Sequence, residues 1–272
     1  MKKSIVGLFI ALFILSAACK TNPFTGEKNL NFVSNSEIFP VAFQQYDQFL
    51  QENEVVRGTS EAQMVTRVGQ KIKVAAEKFL NANGHRGYLD DYQWEYNLVK
   101  DPAVNAWCMP GGKIVVYTGI LPIAKNEAGL ATVMGHEVAH ALVNHGAQRM
   151  SAQTLQQLGA VGVGAATSGK NETAQQLYMQ AYGITTQYGA MLPFSRSHEN
   201  EADEVGLTLM AIAGYNPEEA IDFWKRMDAN SGGGAPPEFL STHPSSNTRI
   251  NNINRLIPEA KAEAAKFGVT FK

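Results

Sequence analysis

The stretch GHEVAHALVNHG, residues 135–146, sets His136, Glu137, His140 and His145 among small or apolar neighbours. An α-helix turns by about 100° per residue, so side chains four apart share a face. His136 and His140 therefore point together, and Glu137 sits one step round from the first. This is the H-E-x-x-H arrangement: two neutral imidazoles hold Zn2+, and the adjacent carboxylate takes a proton from the attacking water. His145 is out of line with the pair and reads as a solvent-facing or helix-end residue, with Gly146 placed as a C-cap. The bland alternative is a buried amphipathic helix whose histidines make ordinary hydrogen bonds.

Two histidines leave zinc short of donors, so a third must come from another rigid element. The segment SRSHENEADEVGLTLM, residues 195–210, offers it. Glu199 and Asp203 are four apart on a helix and share a face. Glu199 can complete a His2Glu set, and Asp203 can accept the far N–H of a ligating histidine and hold its tautomer. Glu201 is a second choice, pointing about 200° away from Glu199. In STHPSSNTRI, residues 241–250, His243 precedes a proline and Arg249 follows. A histidine so placed is a turn residue, a donor to the oxyanion of a tetrahedral intermediate, or a further metal ligand that closes the site.

The elements that must position these groups read as α+β: mainly helical with a small, mostly antiparallel sheet. Apolar residues recur at helical spacing from Ser36 to about Asn81, with a break near Arg57–Thr59 and Ser60 as the second cap. Residues 92–121 carry the strand signal: Tyr92, Trp94, Tyr96 and Leu98 alternate, and Pro110-Gly111-Gly112 separates a short apolar stretch from IVVYT. The zinc helix begins near Lys125 to Glu127. Residues 151–193, rich in Ala, Gly and Gln, read as two small-residue helices joined near Thr167–Asn171; their glycines lack the order of a phosphate loop, so no nucleotide is expected. NSGGGAPPEF, residues 230–239, reads as a loop of the kind that covers or gates a site.

The 272 residues suffice for a large core, and 18% charged residues with a net charge of −2 give no nucleic-acid surface. MKKSIVGLFIALFILSAAC pairs two lysines with an apolar run from Ile5 to Leu15, too short to span comfortably. It reads as an export signal over 1–18 that resembles a bacterial lipoprotein signal, with Cys19 acylated, residues 19–35 a tether, and 36–272 the catalytic domain. An uncleaved anchor is the alternative. Cys108 is then without a partner and reads as a small buried hydrophobe.

Several motifs together resemble zinc metallopeptidase family 48, the gluzincins that include CAAX prenyl endopeptidases, HtpX-like proteases and the periplasmic lipoprotein members of LoiP and BepA type. They are NPFTGEKNLNFVS, NAWCMPGGKIVVYTGIL, GHEVAH, FSRSHENEAD and STHPSSNTRI, which cover almost the whole chain after the signal. The resemblance implies a zincin fold, one Zn2+ on His136, His140 and Glu199, Glu137 as general base, and Asp203 behind the ligands. His243 and Arg249 match a motif beside the active site. Strand 113–118 is expected to be the edge that pairs with an extended peptide. Function then reads as an endopeptidase of the bacterial envelope, facing the periplasm from the outer rather than the inner membrane. It would clear misfolded or unfolded proteins, outer-membrane proteins among them. The rivals are a chaperone-like factor with a closed zinc site and a structural lipoprotein.

Overall fold

The computed structural model describes residues 19–230, 238–244 and 247–271. The signal-peptide reading and most of the 230–239 loop reading lie outside the described residues. From the N-terminus, β1 (Cys19–Thr21) and β2 (Lys28–Leu30) lead into α1 (Asn35–Glu52), β3 (Val55–Val56) and α2 (Ser60–Ala82). Strands β4 (Glu95–Val99), β5 (Ala106–Met109) and β6 (Lys113–Tyr117) follow, then α3 (Leu121–Ala124) and α4 (Glu127–Leu142). Helices complete the chain: α5 (His145–Thr167), α6 (Glu172–Thr186), α7 (Leu192–Ile212), α8 (Glu219–Asn230), α9 (Glu238–Thr242) and α10 (Asn247–Ala265). The class is α+β, mainly helical, as the sequence implies.

The described residues form two compact units. The first comprises 19–22, 26–34 and 144–198, and the second 23–25, 35–143 and the described part of 199–272. In the first, β1 and β2 pair antiparallel and α5 packs along α6. The turn between these helices falls where the sequence places it, and Asn171 caps α6 by accepting from Ala174 N.

The second unit carries the main core, which includes Ile72, Ile114, Leu130, Met134, Phe223 and Trp224. Its sheet runs in the order β3-β4-β6-β5, with β4 and β6 parallel and the two outer pairings antiparallel. The strand expected at the edge is therefore internal: β6 pairs on both sides, and β5 is the edge strand beside it, with β3 at the far edge. The cause is the Pro110-Gly111-Gly112 turn. Both glycines have positive φ, 86° and 88°, which folds the preceding strand back along the outer side of β6.

Asn126 caps α4 by accepting from Gly129 N, so the zinc-motif helix starts where expected. The helix is buried from Gly129 to Leu142, with β5 and α2 packed against it. On α2 the cap is Thr59, which accepts from Ala62 N, and Ser60 is the first helical residue.

Candidate active site

His136, Glu137 and His140 project from the middle of α4 and are 3%, 5% and 8% exposed. Their partners come from α7. The two helices cross backbone to backbone at Gly135 and Gly206: a Cβ on Gly206 would lie 2.9 Å from Gly135 C and from His136 N. Glu199 and Asp203 lie two turns and one turn before that crossing, so it carries them to the histidines. Sequence reasoning missed Gly206. The signal was available, since a glycine inside a helix costs about 1 kcal/mol relative to alanine and calls for a packing reason.

The donor atoms converge. His136 Nε2 and His140 Nε2 are 3.1 Å apart, and each is 3.4 Å from an oxygen of Glu199. His243 Nδ1 joins them at 3.2 Å from His136 Nε2 and 2.8 Å from Glu199 Oε2. All four side chains offer an atom within 4.8 Å of one another. A tetrahedron around zinc with bonds of about 2.0–2.1 Å has edges of about 3.3 Å, close to these separations. Three nitrogens and a carboxylate also form a borderline-soft donor set that suits zinc better than magnesium or calcium. The residues present thus fit Zn2+.

Behind the donors, His136 Nδ1 lies 2.9 Å from Asp203 Oδ1. Arg249 donates to both oxygens of Asp203, at 2.8 and 2.6 Å, and to Glu199 at 3.3 Å. Trp224, missed in the sequence because it lies in an ordinary amphipathic helix, stacks its ring 3.7 Å from the Arg249 guanidinium carbon. Burial and Arg249 both lower the His136 pKa, but hydrogen bonds with Asp203 and Glu199 outweigh them and push it up to about 9. Burial works against the Glu199 charge, yet the three histidines hold this carboxyl far below the usual carboxylate range. Glu137 goes the other way: burial raises its pKa against the pull of His243 and His136. Its Oε1 is buried with no hydrogen-bond partner among the described residues, and its near neighbour is His243 Nε2 at 3.4 Å.

Other candidates fall elsewhere. Glu201 accepts from Thr25 Oγ1 at 2.9 Å and is not in the donor cluster. His145 corrects the solvent-facing reading. It is 1% exposed, opens α5, and stacks on His198 with ring centroids 4.0 Å apart. The chain turns at Asn144, whose φ is 60°, so Gly146 is helical and no C-cap. His198 Nε2 donates to Gln148 Oε1, 3.0 Å away, and takes no part in the cluster. Cys108 is half-buried on β5, and burial pushes its thiol pKa well up, with the Glu137 carboxylate adding to it.

A model of "Peptidase family M48" matches residues 66–257. The chain belongs to peptidase family M48. The match contains the α4 motif, the acidic residues of α7, His243 and Arg249, and zinc is the metal of this family site. Among relatives, the "Mitochondrial metalloendopeptidase OMA1" of Schizosaccharomyces pombe is 41% identical over 64% of this chain and 50% of its own length. The same-named protein of Saccharomyces cerevisiae is 34% identical over 70% and 54%. The "Beta-barrel assembly-enhancing protease" of Escherichia coli is 27% identical over 61% and 35%. The chain thus spans about half the length of the yeast relatives.

These relatives correct the expected location. Proteins at 34 to 41% identity are mitochondrial by name, so the assignment to a bacterial envelope as a periplasm-facing lipoprotein is withdrawn. The export reading rests on two lysines before a short apolar run, that is, on charge and length alone. Neither property distinguishes one organism's membrane from another's.

Proposed function

We propose that this M48 protein is a zinc-dependent endopeptidase that cuts unfolded polypeptide in a quality-control role. The observation that carries the reading is the buried Glu137 carboxylate, whose Oε1 makes no hydrogen bond among the described residues, beside a convergent His2Glu donor set. His136, His140 and Glu199 would hold the ion. Zinc supplies Lewis acidity, polarising the scissile carbonyl and easing deprotonation of water. Glu137 accepts the proton from the attacking water and later returns it to the leaving amine, a role that its raised pKa suits. Asp203 accepts the His136 Nδ1 proton and so presents Nε2 as the donor, while Arg249 and Trp224 hold Asp203 in place. The edge strand β5, lying along α4, offers main-chain pairing to an extended substrate.

The test is cleavage of an unfolded protein by the zinc-loaded chain and by Glu137→Gln at equal zinc content. Loss of roughly 10²–10⁴-fold in the variant is the expected result; equal cutting by both would sink the reading. A second reading is favoured by His243, whose Nδ1 stands among the donors: a site closed by a fourth protein ligand, in a chaperone-like factor. His243→Ala separates the two. Activity that rises marks His243 as the closing ligand, and activity that falls marks it as an oxyanion donor.

A further inference from the structure

Two buried histidines take no part in the metal chemistry. His145 and His198 are 1% and 3% exposed, and neither is among the four side chains whose donor atoms meet. His145 stands just beyond the end of α4 at Leu142, and His198 directly precedes the ligand Glu199 in α7. Along the chain, the pair marks the exit from one metal-bearing helix and the approach to the ligand on the other.

Their contact is a two-point hold. The rings stack with centroids 4.0 Å apart and planes 15° from parallel, and His198 Nε2 donates to Gln148 Oε1 at 3.0 Å. His145 and Gln148 are three apart on α5, so they share a face. The stack sets the plane of the His198 ring, and the hydrogen bond sets its rotation within that plane. Phe194, one turn earlier on α7, closes on the same ring with centroids 4.0 Å apart. The chain that leads to this point has little packing of its own: from Ala152 to Ser197 it buries Thr167 alone, and burial resumes at His198. A segment with so few buried contacts does not fix its own return.

We infer that His145 and His198 are positioning residues for the zinc ligand Glu199: their stack, together with Gln148, sets the rotation of α7 that turns the Glu199 carboxylate to the histidine donors. The inference rests on the reading of the donor cluster as a zinc site. A side-chain tip about 6 Å from a helix axis moves by about 1 Å when the helix turns by about 10°. A functional constellation tolerates only about 0.5 Å of such play. Since His198 and Glu199 are adjacent on one helix, whatever holds the first in rotation holds the second.

The test is the zinc affinity of the full chain, read by chelator competition, with the visible spectrum of the cobalt-substituted form reporting ligand geometry. His198→Ala is expected to weaken zinc binding by about 10-fold and to shift the cobalt bands. His198→Phe keeps a ring against His145 and Phe194 but can neither bind a metal nor carry a proton, and it should recover most of that loss. In a Glu199→Ala background, where His136, His140 and His243 still offer donors, His198→Ala should cost no further affinity, because it acts through Glu199. Should His198→Ala not fold, Gln148→Met removes the acceptor at similar volume and repeats the cycle. An equal loss with and without Glu199 overturns the inference, since the effect is then general to the fold. So does a His198→Ala affinity within about twofold of the parent, and so does a His198→Phe variant as weak as His198→Ala. Because binding and not cutting is read, failure of the endopeptidase reading would leave this result standing.

Discussion

Helices α4 and α5 follow one another with only Val143 and Asn144 between them, yet they treat water in opposite ways. α4 carries two histidines and two glutamates and is buried from Gly129 to Leu142; α5 carries a charge-free run with Leu158 and Val161 in the open. Polarity therefore does not decide burial here. A buried polar group is stable when partners are supplied, and α4 has Glu199, Asp203, Arg249 and His243 around it; Glu137 Oε1, which makes no hydrogen bond among the described residues, is the exception. The apolar run of α5 lacks a comparable covering among the described residues of its own unit, which is why its glycines and leucines face outward.

The same substitution should have opposite signs in the two helical regions. Gly206→Ala puts a Cβ against the backbone of Gly135 and His136, and should destabilise by about 1–3 kcal/mol while weakening zinc binding. Gly162→Ala in α5 meets nothing within 4 Å and should stabilise by about 0.5–1 kcal/mol through helix propensity. Denaturant unfolding of both variants checks this, and equal signs would break the contrast. Next in size is Asp203→Asn, expected to lower zinc affinity by about 10- to 100-fold by loosening the His136 tautomer, as read by chelator competition.

Smaller still is the effect of Glu127, which opens α4. The Tyr215 hydroxyl and Arg67 hold its carboxyl below the ordinary range. A depressed folded-state pKa stabilises above the unfolded value of about 4.3 and ceases to do so as pH falls through the folded one. Glu127→Gln should therefore cost at most about 1 kcal/mol at neutral pH, since the pair is partly exposed, with the difference fading in acid. Smallest is Leu158→Gln, where the side chain is open to water: its unfolding free energy should stay within about 0.5 kcal/mol of the parent.

Much of the site was legible because its two halves are each local. The four-residue spacings of His136 with His140 and of Glu199 with Asp203 follow from helix geometry, so the pairing of faces could be read without a fold. The α5–α6 turn was legible for a similar reason, through Asn171 and its neighbours. Trp224 was not, since nothing along α8 marks the one aromatic that meets Arg249. Nor was the inward turn of His145, which depends on the left-handed conformation of Asn144.

Sequence alone determined the chemistry offered: two imidazoles, two carboxylates and a general base at helical spacing. Tertiary structure decided which groups meet. The Gly135–Gly206 crossing joins residues far apart in the chain, and the hairpin at Gly111–Gly112 makes β5 rather than β6 the edge. Such contacts arise from packing between elements and from backbone pairing over long range. A period of 3.6 or 2 residues records neither.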